Sequence, residues 1–149
     1  MAQELSNRGR TGLVFRADDG MDELATTAEN TIWEVSRGEI VEHRISASDL
    51  GLKNSQISQL IGGDARHNAQ VATDLFSGVK FENSETIGEM VALNAAAGLV
   101  SYELAQNPDS ISKNLSSRLQ QALEITTDAL SSGKALKKLE EWTKASHAA

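Results

Sequence analysis

The sequence contains no cysteine, so disulfides, thiolate metal sites and cysteine nucleophiles are excluded. That suits a reducing compartment, and the cytoplasm is the expected location. Aromatic residues make up 4% of the chain, so the core must rest on Leu, Ile, Val and Ala. No apolar run approaches the roughly 20 residues needed to span a bilayer, and the polar start, Met1 to Ser6, carries no signal-peptide core. Positive charge is the scarcer sign: 14 Lys and Arg face 21 Asp and Glu, for a net charge of -7. A nucleic-acid surface needs a basic footprint, and an anionic membrane attracts basic segments. Neither partner is expected. A small anionic substrate stays open, because a divalent metal or a helix N-terminus supplies local positive potential.

What is present suits a globular protein. The 149 residues are 40% hydrophobic and 23% charged, enough for one domain with a modest core. Ala2 to Asn7 reads as the end of a helix stopped near Gly9. Leu13-Val14-Phe15 is a short continuous apolar run, the pattern of a strand buried on both faces in a parallel sheet. A carboxylate-rich loop follows, Asp18 to Glu23. Thr31 to Val35 and Glu39 to Ile45 are extended segments, and Arg37-Gly38 between them predicts a hairpin.

After Gly51 the pattern turns helical. Gln56 to Ile61 is a short helix candidate, and Gly62-Gly63-Asp64 stops it, with Asp64 placed to cap the next helix. That helix sets Ala65, Ala69, Ala72, Leu75 and Phe76 on one face and stops near Gly78. Thr86 to Ala105 is apolar nearly all round, the mark of a buried helix. Asn107-Pro108 breaks it. Ile111, Leu115, Leu119, Ala122 and Leu123 mark an amphipathic helix ending near Gly133, and a last helix carries Ala135, Leu136, Leu139 and Trp142. A strand of buried type and an all-apolar helix both need partner surfaces, so the pattern predicts a piece of a larger α/β fold.

Among chemical constellations the acidic loop stands first, since ligands of open α/β sheets bind at the carboxyl ends of strands. Asp22 and Glu23, beside Gly20, can hold a hard cation, and magnesium uses one or two carboxylates plus waters and phosphates. A solvated acidic turn is the competing reading. Gly62-Gly63-Asp64 lacks the preceding strand of a phosphate loop, and Asp64 is read as a helix cap. His43, His67 and His147 share no metal spacing and are expected at the surface. Thr26-Thr27 is expected to cap rather than to order the loop. Trp33 and Trp142 are expected packing anchors. Lys134, Lys137, Lys138 and Lys144, balanced by Glu140 and Glu141, form a solvated face.

The order of these motifs resembles the anthranilate phosphoribosyltransferases. Gly12-Leu13-Val14-Phe15, Asp19-Gly20-Met21-Asp22-Glu23 and Thr26-Thr27 resemble that family's strand, Asp-Gly-Leu-Asp-Glu loop and following threonines. Trp33-Glu34-Val35, Asp49-Leu50-Gly51-Leu52, Gly62-Gly63-Asp64-Ala65 with Asn68-Ala69, Leu93-Asn94-Ala95-Ala96 and Ser132-Gly133-Lys134-Ala135 continue the series. The resemblance implies an α/β fold: the C-terminal part of the α/β domain of a phosphoribosyltransferase, with one buried strand, a hairpin and several packed helices. Residues 1–149 are then a partial glycosyltransferase family 3 domain, lacking the N-terminal helical domain and the substrate-loop half.

The resemblance also implies function. The complete enzyme transfers a 5-phosphoribosyl group from phosphoribosyl pyrophosphate to anthranilate in tryptophan biosynthesis. Its Mg2+ falls on Asp22 and Glu23, and no residue of this chain is assigned to catalysis or to other cofactor contacts. The implied partners are the two substrates, the missing N-terminal half and, for the full-length enzyme, a second subunit. Arg16-Ala17 stands where the family usually has His-Gly. The family's Gly-Thr-Gly-Gly-Asp loop and Lys-His-Gly-Asn segment have no counterpart here. The alternatives are a catalytically inactive fragment or partner-binding module, and a pyrimidine nucleoside phosphorylase-like enzyme.

Overall fold

A computed structural model describes residues 1–147. A short helix α1 (Ala2–Asn7) leads into a three-stranded antiparallel sheet of β1 (Gly12–Ala17), β2 (Asn30–Ser36) and β3 (Glu39–Ile45), in that spatial order. Four helices follow: α2 (Ala65–Phe76), α3 (Ser84–Gln106), α4 (Leu115–Ser131) and α5 (Lys134–His147). The α/β expectation therefore holds, with the buried strands in a hairpin sheet against packed helices.

The hairpin forms where Arg37-Gly38 predicts it. Both residues take positive φ, 51° and 82°, as a two-residue type I′ turn requires. The turn fixes the register, with Ser36 opposite Glu39 and Ile32 opposite His43. β1 differs from expectation. Its neighbour is β2, paired antiparallel with Phe15 opposite Ile32, so the parallel neighbour inferred from its apolar run is absent among the described residues. The run is apolar because Leu13 and Phe15 pack on the core while Val14, on the other face, is also half-buried.

Pairing puts Phe15, Ile32 and Ile45 on one face of the sheet, and this face meets α3 and α4. Leu93, Ala96, Val100, Leu119 and Leu123 complete the core, with the small alanines letting α3 approach closely. Each fully buried Leu or Ile contributes about 1.5–3 kcal/mol relative to exposure. Proline ends α3: Pro108 opens a 3-10 turn, Pro108–Ser112, which also takes in Ile111.

Three helical expectations are corrected. Gln56 to Ile61 holds only a 3-10 turn, Ile57–Gln59. In α2, Val71, Ala72, Leu75 and Phe76 are half-buried, but Ala65 and Ala69 of the expected face are exposed, because the helix touches the body only through its C-terminal half. α3 is buried on the side facing the sheet and α4, yet Leu99 is 40% and Tyr102 67% exposed. Trp142 is 68% exposed and so is not the packing anchor expected, whereas Trp33 is half-buried and donates its indole N–H to Glu42 at 2.7 Å. Among the described residues, no helix is long and apolar enough to cross a membrane.

Candidate functional site: an anchored acidic loop

The loop between β1 and β2 is held at both ends and in the middle. At its neck the Asp18 N–H donates to the Glu29 carbonyl at 2.9 Å, extending the strand ladder by one pair. Arg44, on β3, reaches the same neck. Its Nη1 donates to Asp18 Oδ1 at 3.0 Å and its Nε to Glu29 Oε2 at 3.1 Å. Hydrogen bonds from Arg44, aided by its charge and by that of Arg16, hold the Asp18 carboxyl below its ordinary range, and Asp18 and Glu29 push the Arg44 guanidinium up. A depressed carboxyl adds stability that is present above its unfolded value and lost as the pH falls through the folded one. The Asp18–Arg44 clasp therefore weakens only under acid.

Past the neck, Gly20 takes φ 97°, and Ala17 and Met21 close a tight turn, the Ala17 N–H donating to the Met21 carbonyl at 3.0 Å. Asp19 is used inside the loop, accepting from the Met21 N–H at 3.3 Å and from the Thr27 hydroxyl. Thr27 thus orders the loop from within, where only a capping role was expected. Thr26, almost fully buried, shares a 2.6 Å hydroxyl contact with Ser55.

The far side of the loop is bolted to the core by two asparagines. Asn94 of α3 accepts from the Leu24 N–H at 3.0 Å and donates to the Leu24 and Met90 carbonyls at 2.8 and 3.0 Å. Asn30 accepts from the Ala25 N–H at 2.7 Å and donates to the Ala25 and Ile45 carbonyls at 2.9 and 3.1 Å. Satisfied buried amides of this kind fix a unique backbone path. In the sequence Asn94 stands out only by its position, a polar residue on the otherwise apolar stretch of α3.

Asp22 and Glu23 remain. Both are exposed, and among the described residues neither carboxylate has a hydrogen-bond or ion-pair partner. Of the loop's acidic side chains, Asp18 and Asp19 are spent on anchoring, and these two project unused from a fixed backbone. No group of three or more His, Asp or Glu side chains able to hold a metal exists among the described residues. A pair of free carboxylates is nonetheless the donor set that fits magnesium, which keeps waters and substrate oxygens on its other positions. Glu23 also stands at the rim of an open groove of about 770 Å³, walled by Met21, Leu60, Phe76, Ile87 and Met90.

The other candidates do not join this site. Asp64 caps α2 as expected, accepting from the His67 N–H at 2.8 Å. The Gly63 N–H is taken by Asn68 at 2.8 Å, so no cradle of free amides faces a phosphate there. The glycines are needed for close approach: a Cβ on Gly63 would lie 2.8 Å from the His67 ring. His67 and His147 are exposed as expected. His43 is not a surface residue in the same sense, because its Nε2 lies 3.3 Å from the buried Glu34 carboxylate.

A model of the glycosyl transferase family, a/b domain, matches residues 1–136. Anthranilate phosphoribosyltransferase of Leifsonia xyli is 47% identical over 93% of this chain and 38% of its own length. That of Clavibacter michiganensis is 40% identical over 95% of this chain and 39% of its own length. The chain therefore spans less than half the length of these curated relatives. Among solved structures, anthranilate phosphoribosyltransferase from Thermus thermophilus superposes with a TM-score of 0.72 at 29% identity, over 95% of this chain and 37% of that one. The Saccharomyces cerevisiae enzyme in complex with PRPP and Mg shares the fold, with a TM-score of 0.69 at 20% identity, over 89% of this chain and 34% of that one. This chain belongs to the glycosyl transferase family, a/b domain.

Proposed function

We propose that this chain is the C-terminal part of a cytoplasmic anthranilate phosphoribosyltransferase, which moves a 5-phosphoribosyl group from phosphoribosyl pyrophosphate to the amine of anthranilate. The observation that carries the reading is the fixed loop with two unspent carboxylates, Asp22 and Glu23, in a chain whose near relatives bear that activity by name. Bound Mg2+ would offset the negative charge that builds on the departing pyrophosphate. Asp22 and Glu23 hold that ion, and the Asn94 and Asn30 amides keep their backbone from moving as charge develops. Substrate grip and acceptor contacts belong to further polypeptide of the enzyme, including the N-terminal helical domain through which the full-length enzyme would dimerise.

Backbone accounting supports such a completion. The bond from Asp18 to Glu29 makes those two a hydrogen-bonded pair, so by alternation Gly12, Val14 and Arg16 also face β2. The N–H and C=O groups of Leu13 and Phe15 then point to the open edge of β1. α3 runs past β1, with the Ser101 hydroxyl 3.6 Å from the Cβ position of Gly12, and its outer side leaves Leu99 and Tyr102 exposed. A free strand edge is a template for another strand. In the chain alone, the amides of Leu13 and Phe15 are expected to exchange with deuterium faster than those of Val14 and Arg16. Equal protection of all four, measured by NMR, would contradict the assignment of an open edge.

The activity test grafts these residues in place of the matched segment of the Leifsonia xyli relative. Consumption of anthranilate fluorescence with phosphoribosyl pyrophosphate and Mg2+ is the expected result. A folded graft that consumes no anthranilate sinks the proposal, and phosphorolysis of uridine in its place favours a nucleoside phosphorylase.

A further inference from the structure

Arg44 occupies an unusual place for a surface arginine. It sits one residue before the end of β3, opposite Thr31, which is itself opposite Arg16. From there the guanidinium crosses β2 to the neck of the acidic loop. It touches Asp18 where β1 ends, Glu29 just before β2 begins and the Thr31 hydroxyl between them. One planar group thus holds both ends of the loop together. Five donors in a fixed fork make this geometry possible, whereas a lysine ammonium is a single point charge on a flexible stem.

The second consequence is chemical. Asp18, Asp19, Asp22, Glu23 and Glu29 all lie within this loop, and a hard cation offered five carboxylates has many competing ways to bind. Arg44 occupies two of them and Thr27 a third. Only the adjacent pair at the loop's exposed turn stays available.

We infer that Arg44 is a positioning residue for the Asp22–Glu23 cation pair: it closes the neck of the loop and withholds Asp18 and Glu29 from the ion. The inference rests on the proposed metal role of Asp22 and Glu23. It makes a prediction opposite in sign to simple electrostatics. Removing a positive charge from an acidic loop tightens cation binding if charge alone matters. Losing a residue that orients metal ligands weakens it, typically ten- to a hundredfold.

The test measures Mn2+ binding to the 149-residue chain by electron paramagnetic resonance, with Mn2+ as a spectroscopic probe for Mg2+. Arg44→Gln is expected to raise the Mn2+ Kd about tenfold, and Arg44→Lys to recover only part of the loss. Asp22→Asn combined with Glu23→Gln is expected to remove the site. Thermal melts accompany each titration, and because exposed ion pairs add little to stability the fold should persist. Should Arg44→Gln nevertheless unfold, Arg44→Lys keeps the charge and loses the fork, so weaker Mn2+ binding than wild type is again expected although charge alone predicts no change. Unchanged or tighter binding in a folded Arg44→Gln protein overturns the inference while leaving the metal role intact. Wild-type protein that binds no Mn2+, or an Asp22→Asn, Glu23→Gln protein that binds it as well as wild type, overturns the metal role and this inference together.

Discussion

Arg118→Ala is expected to cost about 3–5 kcal/mol of folding stability, the largest loss foreseen for removing one charged side chain from this protein. Glu34 is fully buried, and Arg118 is 5% exposed. The Arg118 Nη2 group donates to both Glu34 carboxylate oxygens at 2.7 Å, tying β2 to α4 through the core. Truncating the arginine leaves a carboxylate in an apolar interior with His43 as its remaining neighbour. For a domain of this size the loss corresponds to a fall of roughly 6–20 °C in Tm. The control separates the pair's net worth from the penalty of breaking it. Glu34→Leu with Arg118→Met removes both charges, and buried pairs replaced by apolar residues of similar volume are often neutral or stabilising. Thermal unfolding followed by circular dichroism reads both. A loss under about 1 kcal/mol for Arg118→Ala would mean that water reaches the pair, as it does in exposed ion pairs.

That pair is also invisible to local sequence pattern. The hairpin was legible because Arg37-Gly38 is a local signal, and the caps and stops at Asp64, Gly78 and Pro108 were legible for the same reason. Glu34 was not. In an extended segment a glutamate between apolar neighbours reads as the wet side of a half-buried strand. β2 is instead the central strand, buried on both faces, and the partner that makes this tolerable lies 84 residues away. No window of sequence contains both. The apolar run of β1 misled in the same manner, since continuous hydrophobicity reports burial on two faces but not the direction of a neighbour.

The acidic loop was legible as a loop and as the best candidate for chemistry. What the sequence could not do was sort its carboxylates. Asp18, Asp19, Asp22 and Glu23 are equivalent as letters. Only the fold assigns Asp18 to Arg44 and Asp19 to Thr27, leaving the other two free. The role of the threonines was not legible either, because their partners, Asp19 for Thr27 and Ser55 for Thr26, are set by the folded path of the loop.

This sorting sets the second large expectation. If the proposed reading holds, Asp22→Ala with Glu23→Ala in the completed transferase is expected to lower Mg2+-dependent anthranilate turnover by about a hundredfold or more. A metal that stabilises developing charge is worth several kcal/mol, and each 1.36 kcal/mol is tenfold in rate. The fold should be untouched, because neither side chain is bonded to any described residue and both are exposed. Asp19→Ala is the informative contrast. It releases the Thr27 hydroxyl and the Met21 N–H, so it should loosen the loop and lower the protein's melting temperature while keeping the Asp22 and Glu23 carboxylates. The two variants therefore differ in kind. The first should lose turnover at unchanged Tm and gain little from added Mg2+, since the donors are gone. The second should regain turnover as Mg2+ is raised, because bound ion restores the loop that Asp19 no longer holds. Full activity of the Asp22→Ala, Glu23→Ala enzyme across a magnesium titration would remove the metal from these residues. The loop's anchors would then be scaffolding for an acidic turn and nothing more.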